Sequence, residues 1–149
     1  MRKEVKRMEF SNEFYGHIVV FEGFRPIAYK CPAGVWTIGY GTTKGVRKGM
    51  RVSQDEAYKL LKDDAQLLER QIESLGIPFS QNQFDAVGLF CYNIGFAAFK
   101  SSTLFKVIKN NRYDEKIKSL WKQWKYSKGK VLKGLVVRRE AECTLYFGR

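Results

Sequence analysis

Residues 22–41 read Glu22-Gly-Phe-Arg-Pro-Ile-Ala-Tyr-Lys-Cys31-Pro-Ala-Gly-Val-Trp-Thr37-Ile-Gly-Tyr-Gly41, and this stretch decides the fold. Upstream of it, Phe14, Ile18 and Phe21 recur at i, i+4 and i+7, which predicts a helix from about Asn12 to Phe21 capped by Ser11 or Asn12. Gly23 stands just past the last turn, where a left-handed residue closes a helix. From Ala28 to about Val52 the texture becomes short β-favouring pieces, Ala28-Tyr29-Lys30 and Val35-Trp36-Thr37-Ile38. The turn Pro32-Ala33-Gly34 joins them, and Gly39, Gly41, Gly45 and Gly49 follow. That pattern predicts a small glycine-rich antiparallel sheet. Glu22 thus ends a helix that leads into a hairpin, and the hairpin can set side chains across a groove from the carboxylate. The negative end of the helix dipole and the apolar neighbours Phe21, Phe24 and Ile27 both disfavour an ionised Glu22. A carboxyl group that keeps its proton near neutral pH can protonate a leaving oxygen.

Working outward, Ser53-Gln54-Asp55-Glu56 has the S-x-x-E form of a capping box. Ala57, Leu60, Leu61, Leu68, Ile72 and Leu75 then predict a long helix to about Ser74, stopped by Gly76 and Pro78. A second box, Ser80-Gln81-Asn82-Gln83, opens a helix through Phe84, Val87, Leu89 and Phe90. The remainder reads as helical patches broken at Gly95, Asn110-Asn111, Gly129 and Gly134, with no internal repeat. The fold class is α+β. A mobile basic lead-in over about residues 1–10 carries Arg2, Lys3, Lys6 and Arg7 and is followed by a β lobe over about 22–55. A connecting helix over about 53–75 and a helical lobe over about 78–149 complete a single domain.

The chain has 149 residues, 44% of them hydrophobic and 28% charged, enough for a buried core under a charged surface. Disordered and collagen-like classes are excluded. Twenty-seven Lys and Arg against 15 Asp and Glu give a net charge of +12, which attracts a polyanion at long range without naming it. Cys31, Cys91 and Cys143 form no CxxC pair, and His17 is the only histidine, so zinc-ribbon, thioredoxin-like and HExxH sites are excluded. No apolar run reaches the roughly 18 residues of a membrane span. Ile18-Val19-Val20-Phe21 is too short for a signal-peptide core, so nothing in the sequence exports the chain by itself. Gly39-Tyr-Gly41 is followed by Lys44 where GxGxxG needs a third glycine, and no cofactor is expected.

The opening stretch resembles the phage-type lysozymes of glycoside hydrolase family 24. In that family a catalytic glutamate is followed nine positions on by an aspartate, which some members replace by cysteine, and six further on by a threonine. Glu22, Cys31 and Thr37 fall on those positions. AYKCPAGVWTIGYGTT is similar to the family hairpin AYxDxxGxxTIGYGxT. The resemblance continues in Gln83-Phe84-Asp85-Ala86, Tyr92-Asn93-Ile94-Gly95, Ala98-Phe99, Ser102-Thr103-Leu104 and the stretch from Gly134 to Glu142, covering roughly residues 11–147. It implies a lysozyme-like two-lobed fold, with a β lobe and a helical lobe joined by the long helix and the substrate cleft between them. The implied reaction is hydrolysis of the β-1,4 bond between N-acetylmuramic acid and N-acetylglucosamine in peptidoglycan. Glu22 would be the general acid, Cys31 and Thr37 would position or activate water on the opposite face, and inversion would follow. Gly41, Thr43, Tyr92 and Asn93 would line the cleft. The implied partners are peptidoglycan strands and an anionic cell envelope, with no specific nucleic acid and no metal. A monomer made in the host cytoplasm and acting on the wall is expected.

Two departures bear on the chemistry. A thiol with a pKa of about 8.5 is only slightly ionised at neutral pH, so Cys31 replaces a carboxylate poorly unless Arg25, Lys30 or another cation lowers that value. Thr42 stands where the family often has histidine, so any ion pair of that histidine is absent. Cys91, Cys143, Trp121 and Trp124 read as core, and His17 as a helix-face residue. Arg138-Arg139 reads equally as a solvated pair, a phosphate contact or a partner of Glu22. The competing functions are a cysteine hydrolase pairing Cys31 with His17, and a catalytically silent relative that binds wall or nucleic acid.

Overall fold

A computed structural model describes residues 7–148, so Arg2, Lys3 and Lys6 of the basic lead-in lie outside the described residues. The element order is α1 (Asn12–Glu22), β1 (Arg25–Lys30), β2 (Trp36–Gly39), α2 (Gln54–Glu73), α3 (Gln81–Ile94), α4 (Phe96–Lys100), α5 (Thr103–Asn110), α6 (Lys116–Lys122), β3 (Tyr126–Ser127), β4 (Lys130–Val131) and α7 (Lys133–Tyr146). Backbone packing divides the chain into two compact units. One is Tyr15–Leu67; the other joins the chain up to Phe14 with everything from Leu68 onward. Both boundaries fall inside helices, α1 and α2.

In the Tyr15–Leu67 unit, β1 and β2 pair antiparallel with Tyr29 opposite Thr37 and Lys30 opposite Trp36. Cys31 N–H donates to Val35 O at 3.0 Å, and Gly34 N–H donates to Cys31 O at 2.8 Å, which closes the turn between the strands. Gly34 holds φ 80°, a left-handed conformation that glycine adopts without steric cost. Gly39 is required for space as well: a Cβ there would lie 2.9 Å from Ala57 Cβ. The sheet has only these two strands, plus isolated bridges between Ile27 and Arg51 and between Ile38 and Thr42. The expected strand texture out to Val52 gives way because Gly41, Gly45 and Gly49 all take positive φ and turn the chain repeatedly. The capping box at the start of α2 is present: Ser53 N–H donates to Glu56 Oε1 and Glu56 N–H to Ser53 Oγ.

In the second unit, Ser80 and Gln83 form the other capping box, and α3 is buried from Gln83 to Cys91. Residues 8–11 differ from a mobile lead-in. Met8 N–H donates to Glu73 Oε1 at 3.1 Å, Phe10 N–H to Glu69 Oε2, and Arg70 Nη2 to Met8 O at 2.9 Å. Asp85, fully buried, accepts from both the backbone N–H and the hydroxyl of Ser11. Buried carboxylates need donors, and this segment supplies them. The Phe10 ring stacks on Phe14 at 3.9 Å and lies 5.0 Å from Phe84. Farther along, the Phe90 ring is surrounded by Phe99, Trp121 and Trp124.

Two sequence expectations fail here. Gly129 does not simply break helices: with Lys128 at φ 51° and Gly129 at φ 78° it turns the β3–β4 hairpin, whose strands are too short to show alternation. Gly134 breaks nothing: it is the second residue of α7, and the entropic cost of a glycine in a helix is only about 1 kcal/mol relative to alanine. Among the described residues no helix is long and apolar enough to cross a membrane.

The tightest approach in this unit is at Gly88, where a Cβ would lie 2.2 Å from a carbon of the Phe10 ring. Gly88→Ala should therefore destabilise the protein by about 1–3 kcal/mol through overpacking, read as a lowered urea midpoint. Adding Phe10→Leu to that variant should recover part of the loss.

Candidate active site

Glu22 is the last residue of α1 and is half-buried; Gly23, at φ 68°, donates its N–H to Val19 O at 3.0 Å and redirects the chain into β1. Cys31 follows β1 directly, and Thr37 lies buried in β2. All three belong to the Tyr15–Leu67 unit. The turn wraps the Cys31 sulfur. The backbone N–H of Val35, and then those of Ala33 and Cys31 itself together with the Thr37 side chain, hold the thiol below its ordinary value against a smaller opposing effect of burial. Thr37 Oγ1 also donates to Val35 O at 2.9 Å, which ties this side chain to the turn. Cations are not the cause: the Arg25 guanidinium lies over the Tyr29 ring at 4.0 Å, and Lys30 Nζ faces the Trp36 ring at 5.4 Å.

Tyr29 is a residue that sequence reasoning missed. Burial raises its phenol above the ordinary value, and the charges of Glu22 and Cys31 add to that rise while Arg25 opposes it. Tyr29 therefore keeps its proton in a position that feels both proposed catalytic groups. The available signal was register, since positions 29 and 31 of an extended segment point the same way.

The loop after β2 holds Gly41 at φ 86° and an exposed Thr43. Ile38 and Thr42 exchange both backbone hydrogen bonds across it, at 2.9 and 3.0 Å. Where the resemblance would put histidine, Thr42 Oγ1 donates to Asp64 Oδ2 at 3.0 Å, and burial raises the Asp64 carboxyl more than this bond lowers it. A hydroxyl–carboxyl hydrogen bond thus occupies the place of the missing ion pair.

Tyr92 and Asn93 lie near the end of α3 in the other unit. Tyr92 meets the Phe14 ring edge-on at 6.4 Å. Asn93 Oδ1 accepts from Arg139 Nη2 at 2.8 Å. Arg138 and Arg139 are only 9% and 1% exposed, which removes the reading of a solvated pair. Arg139 pairs with fully buried Glu142 through Nε at 2.8 Å and Nη2 at 3.0 Å. Cys91 and Cys143 are buried free thiols pushed up by desolvation, Cys143 to about 11. Trp121 is fully buried, and the His17 ring lies 5.7 Å from Phe21. Among the described residues no group of three His, Cys, Asp or Glu side chains could hold a metal ion.

A family model described as phage lysozyme matches residues 19–142. The chain is 38% identical over 133 residues to the endolysin of Acyrthosiphon pisum secondary endosymbiont phage 1, covering 85% of this chain and 89% of that protein. It is also 38% identical over 143 residues to the endolysin of Bacillus phage B103, spanning 93% of this chain but only 54% of that longer relative. Among solved structures, the muramidase domain of SpmX from Asticaccaulis excentricus superposes with a TM-score of 0.86 at 34% identity, covering 96% of this chain and 100% of that one.

The three thiols should separate by reactivity, since only the thiolate is alkylated. With iodoacetamide at pH 7.5, peptide mass spectrometry should show Cys31 modified first, with a pH midpoint below that of an ordinary thiol. Cys91 and Cys143 should react only on unfolding.

Proposed function

Because the chain belongs to the phage lysozyme family, we propose that it cleaves peptidoglycan with Glu22 as general acid and the Cys31–Thr37 pair as the group that activates water. It is a glycoside hydrolase of the muramidase type. In the proposed step, the Glu22 carboxyl proton passes to the glycosidic oxygen as the bond from the anomeric carbon to that oxygen breaks. A water held by Thr37 attacks the same carbon from the opposite face and gives its proton to the Cys31 thiolate. Release of that proton from Cys31 to solvent and uptake of a proton from solvent by Glu22 restore the starting state, and the product forms with inverted configuration. Gly41, Thr43, Tyr92 and Asn93 contact the glycan. The net charge of +12 draws the monomeric enzyme to an anionic cell envelope, and it acts on the wall after synthesis in the host cell.

The observation that carries this reading is the set of backbone donors around Cys31. A thiol without such donors gains nothing from its surroundings, whereas the Val35 and Ala33 N–H groups and the Thr37 side chain favour the Cys31 thiolate and lower its value. Lowering that value raises the share of thiolate that can act as a general base.

Glu22→Gln should reduce the loss of turbidity of a bacterial wall suspension by about 10²–10⁴-fold, the usual contribution of one acid–base group. A wild-type rate in that variant would overturn the acid assignment. Cys31→Ala should be strongly impaired and Cys31→Asp active, with its acid limb displaced to lower pH because a carboxylate ionises earlier than the thiol. NMR of the first products should show the α-anomer at the new reducing end.

A further inference from the structure

Arg139 is left without a role by the chemistry above, yet it is among the most buried side chains of the molecule, at 1% exposed. Three of its hydrogen bonds and one close ion-pair contact go to groups of its own unit. Nε and Nη2 fork onto the two Glu142 oxygens at 2.8 and 3.0 Å, and Nη1 donates to Trp124 O at 3.3 Å. Nη2 also donates to Asn93 Oδ1 at 2.8 Å, and the guanidinium lies over the Phe90 ring with 4.9 Å to its centroid. Trp121 Nε1 donates to Glu142 Oε1 at 2.9 Å and locks the acceptor side of the pair.

A guanidinium has five N–H donors and no acceptor. A carboxamide has nearly the same shape whichever way it faces, so the chemistry of its neighbour decides its orientation. With the carbonyl of Asn93 turned to Arg139, the Nη2 donor meets an acceptor at 2.8 Å. Turned over, Asn93 would set N–H against N–H inside the protein and leave both unsatisfied, at the cost of a desolvated donor. The Asn93 Nδ2 group has no hydrogen-bond partner among the described residues, and it is not among the atoms sealed from solvent.

We infer that Arg139 is a positioning residue: it holds the Asn93 carboxamide with its Nδ2–H groups facing outward, where they bind the acetamido carbonyl oxygen of an N-acetylated sugar. The inference rests on the reading that Asn93 meets the glycan, and it adds a specificity to that contact. The acetamido carbonyl is the strongest neutral acceptor on such a sugar. A de-N-acetylated sugar carries an ammonium group, which is a donor only, and it would meet the fixed Nδ2–H groups donor to donor. A site built to complete one hydrogen bond rejects the analogue that lacks its partner.

Asn93→Asp tests this directly, because the new carboxylate still accepts from Arg139 but offers no hydrogen outward. On N-acetylated wall, KM should rise about tenfold, which corresponds to 1.4 kcal/mol. kcat should stay within about twofold and the melting temperature should be held. On chemically N-deacetylated wall, the same variant should match or exceed the wild type, since a carboxylate attracts the ammonium. Arg139→Lys supplies one point charge where a fork is needed and should show the same rise in KM. If that variant is too unstable to assay, Asn93→Asp carries the test alone. A wild-type KM for Asn93→Asp on N-acetylated wall, a fall in kcat at unchanged KM, or an unchanged preference between the two walls would each overturn the inference. Failure of the wild type to lyse any wall would instead overturn the proposed function, so the two failures are distinguishable.

Discussion

The ion pair of Arg139 with Glu142 orders the unit that runs from Leu68 onward, because neither charge reaches water. Burial pushes the Glu142 carboxyl up and the Arg139 guanidinium down, and each partner offsets the other's cost. Such a pair is tolerated only when its geometry is good and its remaining hydrogen-bonding groups are filled; removing one partner typically costs about 3–5 kcal/mol. Here the filling groups come from separate elements: Trp121 of α6, the Trp124 carbonyl after it, and Asn93 at the end of α3. Satisfying one buried charge therefore ties the ends of α3 and α6 to the body of α7, and the α3 end carries the polar side chain of Asn93.

The same requirement acts at the other carboxylates of this unit. Asp85 is fully buried and Glu69 nearly so, and burial raises both carboxyl groups more than their donors lower them. Their donors come from the chain before α1, across 59 to 74 residues of sequence. The unit around the hairpin solves its electrostatics differently. Burial outweighs the Thr42 hydroxyl and the Lys44 charge at Asp64, so its raised carboxyl favours the fold when protonated, and that contribution is lost as pH rises through its folded value. A Thr42–Asp64 contact has no imidazolium to lose, so this contact is not tied to the pH range in which histidine titrates.

These differences explain what could be read in the sequence. Both capping boxes were legible because serine and its partner are three residues apart and satisfy each other locally. The β1–β2 hairpin was legible from Gly34 and the β-branched residues that flank it, whereas the proposed roles of Glu22, Cys31 and Thr37 rest on the resemblance to phage-type lysozymes. The strap at residues 8–11 was not, because its partners are distant in sequence and its composition is that of a solvated tail. Arg139 was ambiguous for a similar reason: an Arg-Arg pair looks the same whether it faces water or a buried glutamate. β3 and β4, at two residues each, carry no periodicity at all.

The cysteine is the instructive case. Read from its neighbours, Cys31 needed Arg25 or Lys30 to become a base, and those cations are occupied with the faces of Tyr29 and Trp36. What lowers it is the path of the backbone from Cys31 to Val35, a feature that no side chain in the sequence announces. Donors of this kind do not depend on the identity of residues 33 and 35, only on the turn that aims them, and the turn depends on Gly34 at φ 80°. An aspartate at position 31 would be ionised at neutral pH in almost any hairpin. A cysteine there makes the proposed chemistry depend on a turn closed by one left-handed glycine, so that a residue with no side chain shapes the backbone donors around the thiol.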